Sequence, residues 1–125
     1  MKKIINTINA PSAVGHYSQA ILVDNTLYCS GQIAINPEDG KLVLEDIETE
    51  TDQVIKNCLA VLKAANMDFK NVVKCTIFIK NMQDYNKINN IYGTHFTSNF
   101  PAREVVEVAA LPKNVNIEIS IIAHK

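Results

Sequence analysis

The sequence predicts an α+β fold in which two helices cover one face of a mostly antiparallel sheet. Two segments carry apolar residues at helical spacing, and most other apolar residues lie in short β-branched runs separated by turn residues. The chain has 125 residues, of which 47% are hydrophobic and 20% are charged. That composition is typical of a globular protein, and residues 1–125 are expected to form a single domain.

The first strands are predicted in the N-terminal third of the chain. The segment QAILVDNTLYCSGQIAI contains apolar runs on either side of residues 24–26, which indicates two short strands around a tight turn. In the segment NPEDGKLV, Pro37 and the pair at residues 39–40 mark a second turn before another short strand.

Two amphipathic helices are predicted, the first from about Asp46 to Asn66 and the second from about Met82 to Phe96. Asp46 is the expected N-cap, and Asn66 can end the first helix in a left-handed conformation. The apolar stripe of the first helix consists of Val54, Cys58, Val61, Leu62 and Ala65. The stripe of the second helix consists of Met82, Tyr85, Ile88, Tyr92 and Phe96.

Three further strands complete the predicted sheet. Residues 72–79 are β-branched and indicate a buried strand between the helices, and two last strands follow Pro101 in REVVEVAAL and NVNIEISIIA. The crossover segments imply some parallel pairing. In the last strand, isoleucines suited to the helices alternate with residues such as Glu118 and Ser120 on the other face. A mixed apolar and charged open face is common at subunit interfaces, so an oligomer is expected.

Composition argues against several classes of protein. The net charge of −1 leaves no basic excess to neutralise a nucleic-acid backbone. No apolar run approaches the ~20 residues that span a bilayer, and the N-terminus lacks the apolar core of a signal peptide. The three cysteines are scattered, which fits a reducing cytosol better than a disulfide framework. Because the three histidines share no ligand spacing with them, no metal site is expected.

Arg103 and Glu118 are the charged candidates for a functional site. Arg103 begins a strand directly after Pro101, where a rigidly held guanidinium can bind a carboxylate through two hydrogen bonds. The alternatives are an ion pair with Glu107 or Glu118, or a surface charge. Glu118 lies between two isoleucines, and partial burial would raise its pKa and let it transfer protons near neutral pH. Its alternative role is an interfacial salt bridge.

Four uncharged positions are weaker candidates. Ser30 and Gly31 lie at a strand end, where a hydroxyl and a backbone N–H can polarise a ligand, but taken alone they are better explained by a simple turn or bulge at Gly31. Tyr17 follows Gly15 on an irregular segment and either covers a pocket or packs. Asn89 lies near the apolar stripe of the second helix and bonds either a loop or a ligand.

Taken together, four blocks of sequence resemble the reactive intermediate deaminase family, RidA, also called YjgF. The blocks are APSAVGHYSQA, CSGQI with NPEDGKLV, DYNKINNIY, and NFPAREVVEVAALPKNVNIEISIIA, and they run in order over essentially the whole chain. The resemblance implies a chorismate-mutase-like α+β fold, a homotrimer with ligand clefts between subunits, and no cofactor. It also implies hydrolysis of reactive 2-enamine and 2-imine acids, such as 2-aminoacrylate, 2-iminopropanoate and 2-iminobutanoate, to 2-keto acids and ammonia.

The resemblance assigns roles to individual residues. Arg103 matches the arginine that binds the substrate carboxylate, and Glu118 matches the acidic residue that positions or activates water. The positions that match residues lining or supporting the cleft are Tyr17, Ser30, Gly31 and Asn89. A non-catalytic regulator that binds small carboxylates is an alternative, as is the ribonuclease or translation-inhibitor role of some relatives.

Three positions depart from the family pattern. Val105 stands where many bacterial members have a cysteine, so thiol chemistry is excluded there, but its backbone amide can still bond a substrate. His16 stands where proline is common, which is expected to change the mobility of the loop that carries Tyr17. Ser120 replaces a frequent second glutamate and removes a charge beside the cleft.

Overall fold

The computed structural model describes all 125 residues and confirms the predicted α+β fold. The strands are β1 (Lys2–Ile5), β2 (Ala20–Val23), β3 (Thr26–Cys29), β4 (Val72–Ile79), β5 (Ala102–Glu107) and β6 (Ile117–His124). They form one sheet in the order β1-β2-β3-β6-β4-β5. The two helices are α1 (Ile47–Ala64) and α2 (Tyr85–His95), and neither is both long enough and apolar enough to cross a membrane.

The N-terminal half of the sheet is a meander of antiparallel strands. The predicted turn between β2 and β3 is confirmed, with Asp24 in the left-handed conformation at φ 52°. Strand β1, which pairs with β2, was not predicted. The prediction of a strand after Gly40 is wrong, because this segment contributes only an isolated bridge between Ile35 and Leu42.

Helix α1 agrees closely with the prediction. The Asp46 side chain caps it by accepting a 2.7 Å hydrogen bond from the Thr49 N–H. All five residues of the predicted apolar stripe are buried. Asn66 follows the helix at φ 58°, which allows the chain to leave the helix in a left-handed turn.

Helix α2 begins later than the apolar pattern predicts. A 3-10 turn over Met82–Asp84 precedes it, with the Asn81 side chain accepting from the Gln83 N–H. Of the predicted stripe, Ile88, Tyr92 and Phe96 are buried, whereas Met82 is exposed and Tyr85 is only partly buried. The stripe is therefore confirmed only over its second half.

The crossover through α2 joins two parallel strands, as predicted, since β4 and β5 pair in parallel. Strand β6 lies between β3 and β4 and is antiparallel to both. Its residues Ile117, Ile119 and Ile121 are buried in the same core cluster as the helix stripes, so Glu118 and Ser120 lie on the open face of the sheet. Strand β5 forms one edge of the sheet, with α2 packed beside it.

Candidate functional site

Arg103 lies on the helix side of the sheet, at its β5 edge. Its register partner on β4 is Cys75, whose side chain is buried under the helices. The Nη1 group donates to Asn89 Oδ1 at 2.9 Å, and the Nη2 group donates to Tyr85 Oη at 2.8 Å. The guanidinium carbon also lies 4.6 Å from the centre of the Tyr92 ring, within the range of a cation–π contact.

The environment of Arg103 matches neither an ion pair within the chain nor a surface charge. It forms no ion pair with Glu107 or Glu118, and it is partly buried rather than a freely solvated charge. Glu107 instead accepts from the Met82 N–H at 2.7 Å. A guanidinium has five N–H donors, so those not bonded to α2 remain available to a ligand. They adjoin a cavity of about 380 Å³ whose lining includes Asn89, Phe100 and Pro101.

The backbone at Val105 also has a free donor. Strand β5 pairs only with β4, and the Val108 N–H bonds Ile79 O at 2.8 Å. Because successive residues of a strand direct their N–H groups to opposite edges, the Val105 N–H points away from β4, towards the open edge. Its side chain shares the face of Arg103.

Glu118 lies on the opposite, open face of the sheet and is partly buried. It forms no ion pair or side-chain hydrogen bond, and burial raises the pKa of its carboxyl group. The carboxylate packs against Gly31: a Cβ built on Gly31 would lie 2.2 Å from Glu118 Oε2. The two residues meet because the bridge between Gln32 and Ile119 places the segment after β3 beside β6.

Ser30 has a structural role in this conformation. Its hydroxyl donates to Ser18 O at 2.6 Å, and its N–H donates to Gln19 O at 2.9 Å. The hydroxyl proton is therefore occupied, and the oxygen can only accept from a ligand. Both bonds tie the end of β3 to the segment that precedes β2.

The loop that carries Tyr17 is fixed by a buried glutamine that the sequence did not single out. The Gln19 side chain donates to the carbonyls of Thr7 and Pro11 and accepts from the Thr7 N–H at 2.7 Å. No periodicity or motif marks this residue, because its partners come from an irregular segment. Tyr17 is 53% exposed. A cavity of about 480 Å³ lies there, with lining that includes Val14, Tyr17, Ser30, Gly31, Lys113 and Glu118.

The predicted site residues thus fall into two groups on one chain. Arg103, Asn89 and Val105 lie together at the β5 edge on the helix side. The other group, formed by Tyr17, Ser30, Gly31 and Glu118, surrounds a separate cavity that opens on the other face of the sheet. Alternation along the strands left open which charged residues faced the helices. A single chain therefore does not bring Arg103 and Glu118 to one cavity.

Tyr85 has a polar role that the apolar pattern of the second helix does not predict. It was counted in the apolar stripe of the second helix, yet its hydroxyl bonds Arg103. The cysteines offer no reactive thiolate: burial raises the pKa of Cys29 to about 12, and it also raises the pKa of Cys58 and Cys75. No cluster of three or more histidine, cysteine or acidic side chains is arranged to hold a metal ion.

The chain is similar along nearly its whole length to one family model and to several known proteins. The family model described as Endoribonuclease L-PSP matches residues 7–125. Human 2-iminobutanoate/2-iminopropanoate deaminase is 49% identical over 123 residues, which cover 98% of this chain and 90% of the human protein. A Yersinia pestis protein of the conserved Rid family, YyfA, is 51% identical over all of both chains, with a TM-score of 0.97. E. coli TdcF, solved with bound serine, is 34% identical over 98% of both chains, with a TM-score of 0.95.

Proposed function

Because the chain belongs to the RidA/YjgF family, whose model is described as Endoribonuclease L-PSP, we propose that it is a 2-imino acid deaminase. The reaction converts 2-iminobutanoate or 2-iminopropanoate, and the enamine tautomers, to 2-keto acids and ammonia. The human relative that is 49% identical carries the name of this activity. The three free thiols, two of them buried, fit a reducing compartment such as the cytoplasm.

The observation that carries this proposal is the state of Arg103. A partly buried cation normally has an anionic partner, since an unpaired charge away from water is costly. Arg103 has only the neutral oxygens of Asn89 and Tyr85. Its positive charge is therefore retained for an anion, and the planar guanidinium fits the carboxylate of a 2-imino acid. The free N–H of Val105 adds a second donor on the same side.

The complete site is formed between subunits of a homotrimer. Arg103 and Glu118 lie on opposite faces of one sheet, so one substrate can contact both only if they come from different chains. The open face carries Glu118 and Ser120 among apolar neighbours, and half-exposed Tyr28 and Val106 are suited to burial in such an interface. The two cavities are then halves of one cleft.

The chemistry needs only orientation and one group that transfers protons. Arg103 and the Val105 N–H bind the carboxylate and place the imine carbon beside a water molecule. Glu118 takes a proton from this water as its oxygen bonds to carbon, and the electron pair of C=N moves to nitrogen. Glu118 returns this proton to nitrogen, which gives the carbinolamine. Glu118 then transfers the hydroxyl proton of the carbinolamine to its amino nitrogen, the C–N bond breaks, and ammonia leaves as the C=O bond of the ketone forms. General acid–base assistance of this kind contributes about 10²–10⁴-fold.

The raised pKa of Glu118 suits this role, because a carboxylate with increased basicity is a better proton acceptor. Because Gly31 has no side chain, the Glu118 carboxylate has room beside it in the wall of the cavity. Ser30, whose proton is bonded to Ser18, contributes by shaping the wall and not by donating.

The test couples an amino-acid dehydratase to keto-acid formation, with and without the protein. Adding the wild type accelerates keto-acid release, whereas Arg103→Ala, which loses the carboxylate contact, reduces the acceleration by at least about 10²-fold. Lys87→Ala removes an exposed cation from α2 and serves as the matched control. Equal acceleration by Arg103→Ala and the wild type would exclude the proposed role of Arg103.

A second candidate is a regulator that binds small carboxylates without converting them. The observation that favours it is the serine bound in E. coli TdcF, which is 34% identical to this chain. Such a protein uses Arg103 but has no need of a proton-transfer group. Glu118→Gln separates the two functions: a deaminase loses its rate but keeps its affinity for a 2-keto acid, whereas a regulator has no rate to lose. The formal net charge of −1 does not favour RNA as the substrate.

A further inference from the structure

We propose that Tyr85 is a positioning residue for the deamination: its hydroxyl holds the Arg103 guanidinium in the orientation that binds the substrate carboxylate. The inference rests on the proposed function and assigns a role to a residue outside the substrate cavities. Tyr85 Oη accepts from Arg103 Nη2 at 2.8 Å, and the Tyr85 ring lies 5.8 Å from the guanidinium carbon.

The position of Tyr85 relative to Arg103 is fixed by contacts independent of their own hydrogen bond. Tyr85 is the first residue of α2 and follows the 3-10 turn that Asn81 caps. The first residue of that turn, Met82, donates its N–H to Glu107 Oε1 at 2.7 Å. Glu107 ends β5, the strand on which Arg103 lies. The start of the helix is thereby tied to the strand that carries the guanidinium.

Three residues of α2 restrain the guanidinium from different directions. Tyr85 and Asn89 are four residues apart, so they lie on the same face of the helix, and each accepts from a different terminal nitrogen. Tyr92, one further turn along, lies beneath the guanidinium plane. Asn89 alone would leave rotation about the side-chain torsions of Arg103 free. The second hydrogen bond, which Arg103 donates to the Tyr85 oxygen, removes that rotation.

The chemical nature of the acceptor matters as much as its position. A carboxylate at residue 85 would bond the guanidinium more strongly but would neutralise its charge and compete with the substrate. A phenol oxygen accepts a hydrogen bond and carries no charge, so the cation remains available to an anion. Tyr85 thus orients Arg103 without lowering its attraction for the substrate carboxylate.

The expected effect of Tyr85→Phe follows from where this contact acts in the reaction. The carboxylate keeps its charge from substrate to transition state, so Arg103 binds both states about equally. Loss of the restraint therefore weakens the binding of substrate and product alike. A hydrogen bond to a charged group corresponds to a factor of about ten. We expect the Kd for 2-oxobutanoate to rise about tenfold and kcat/KM to fall by the same factor.

The experiment measures 2-oxobutanoate affinity by calorimetry and deamination in the dehydratase-coupled assay. Thr49→Val removes a hydroxyl from an exposed residue of α1, away from both cavities, and is the control, with unchanged values expected. The same Tyr85→Phe change is also made in an Arg103→Lys background. If Tyr85 acts through the guanidinium, the change then alters the affinity less than twofold. Thermal unfolding of each variant monitors stability.

The outcomes separate this proposal from the proposed function. A wild type that deaminates, together with a Tyr85→Phe variant of unchanged affinity, overturns the role of Tyr85 alone. An equal loss of affinity in the wild-type and Arg103→Lys backgrounds also overturns it, because the effect would then be structural. A wild type that binds 2-oxobutanoate but does not deaminate overturns the proposed function, while weaker binding by Tyr85→Phe still supports the positioning role. Absence of any binding by the wild type overturns both.

Discussion

Substitution of Gly31 by alanine tests the geometry around Glu118 with the smallest available change. The added Cβ would lie 2.2 Å from Glu118 Oε2 and 2.8 Å from its Cδ. Carbon and oxygen atoms that are not bonded to each other approach no closer than about 3.4 Å without strain. Gly31 does not have a positive φ, so alanine is compatible with the backbone and the effect arises from this contact.

The magnitude follows from the displacement that the contact requires. Relief of the overlap moves the Glu118 carboxylate by about 1 Å, and the long, flexible side chain allows this movement without disturbing the core. Misplacement of a catalytic group by about 1 Å can lower the rate by about 10²-fold. We therefore expect Gly31→Ala to reduce kcat/KM by about that factor while thermal stability stays near that of the wild type.

The assay is keto-acid formation from a dehydratase-generated imine, measured beside the thermal unfolding curve. Gly40→Ala is the matched control, since its Cβ would meet no atom within 4 Å. Gly40 has φ 73°, so this control loses a little stability but keeps its rate. Full activity in Gly31→Ala would show that the Glu118 carboxylate does not need its observed position, and the assignment of Glu118 as the proton-transfer group would be refuted.

Two further predictions concern buried carboxylates. Burial raises the pKa of Glu118, so kcat/KM should decline on acidification through a pH above the ordinary glutamate pKa, and Glu118→Gln should abolish this limb of the pH profile. Protonated Glu118 contributes to the free energy of unfolding. This contribution is fully present below the pKa that Glu118 has in the unfolded chain, and it is lost as the pH rises through the raised pKa of the folded protein. The unfolding of the Glu118→Gln variant should not show this loss. Glu50 is fully buried and accepts from the backbone and side-chain nitrogens of Asn116 at 2.8 and 2.7 Å. Because Glu50→Ala leaves both donors unsatisfied, it should lower the free energy of unfolding by about 3 kcal/mol in urea titrations, and a loss no larger than that of Glu48→Ala would contradict this reasoning.

The helices illustrate what a local pattern can predict. The stripe of α1 and its cap at Asp46 were both correct, because helix spacing and capping involve residues within a few positions of one another. The start of α2 was predicted too early. Met82 fits the apolar period, but Asn81 caps a 3-10 turn there, and Met82 itself remains exposed. Periodicity does not distinguish a 3-10 turn from the first turn of an α-helix.

The strands show where local patterns fail. Strand β1 exists because its backbone pairs with β2 along residues 2–5, although only Ile5 of that strand is buried. The segment after Gly40 follows a turn and contains an apolar run, yet it forms only the isolated bridge between Leu42 and Ile35. A strand requires a partner that is distant in sequence, and a short segment does not encode which edge is available to it.

The sequence by itself determined the α+β class, the two helices, the parallel crossover and the chemical types of the candidate residues. Each of these depends on residues that are near in sequence or on the chemistry of single side chains. Only the tertiary structure decided that Arg103 is held by Tyr85 and Asn89, that Glu118 packs on Gly31, and that these two groups of contacts lie on opposite faces of the sheet. Side-chain alternation assigns residues to two faces without saying which face the helices cover, and that choice is made by packing between segments far apart in the chain.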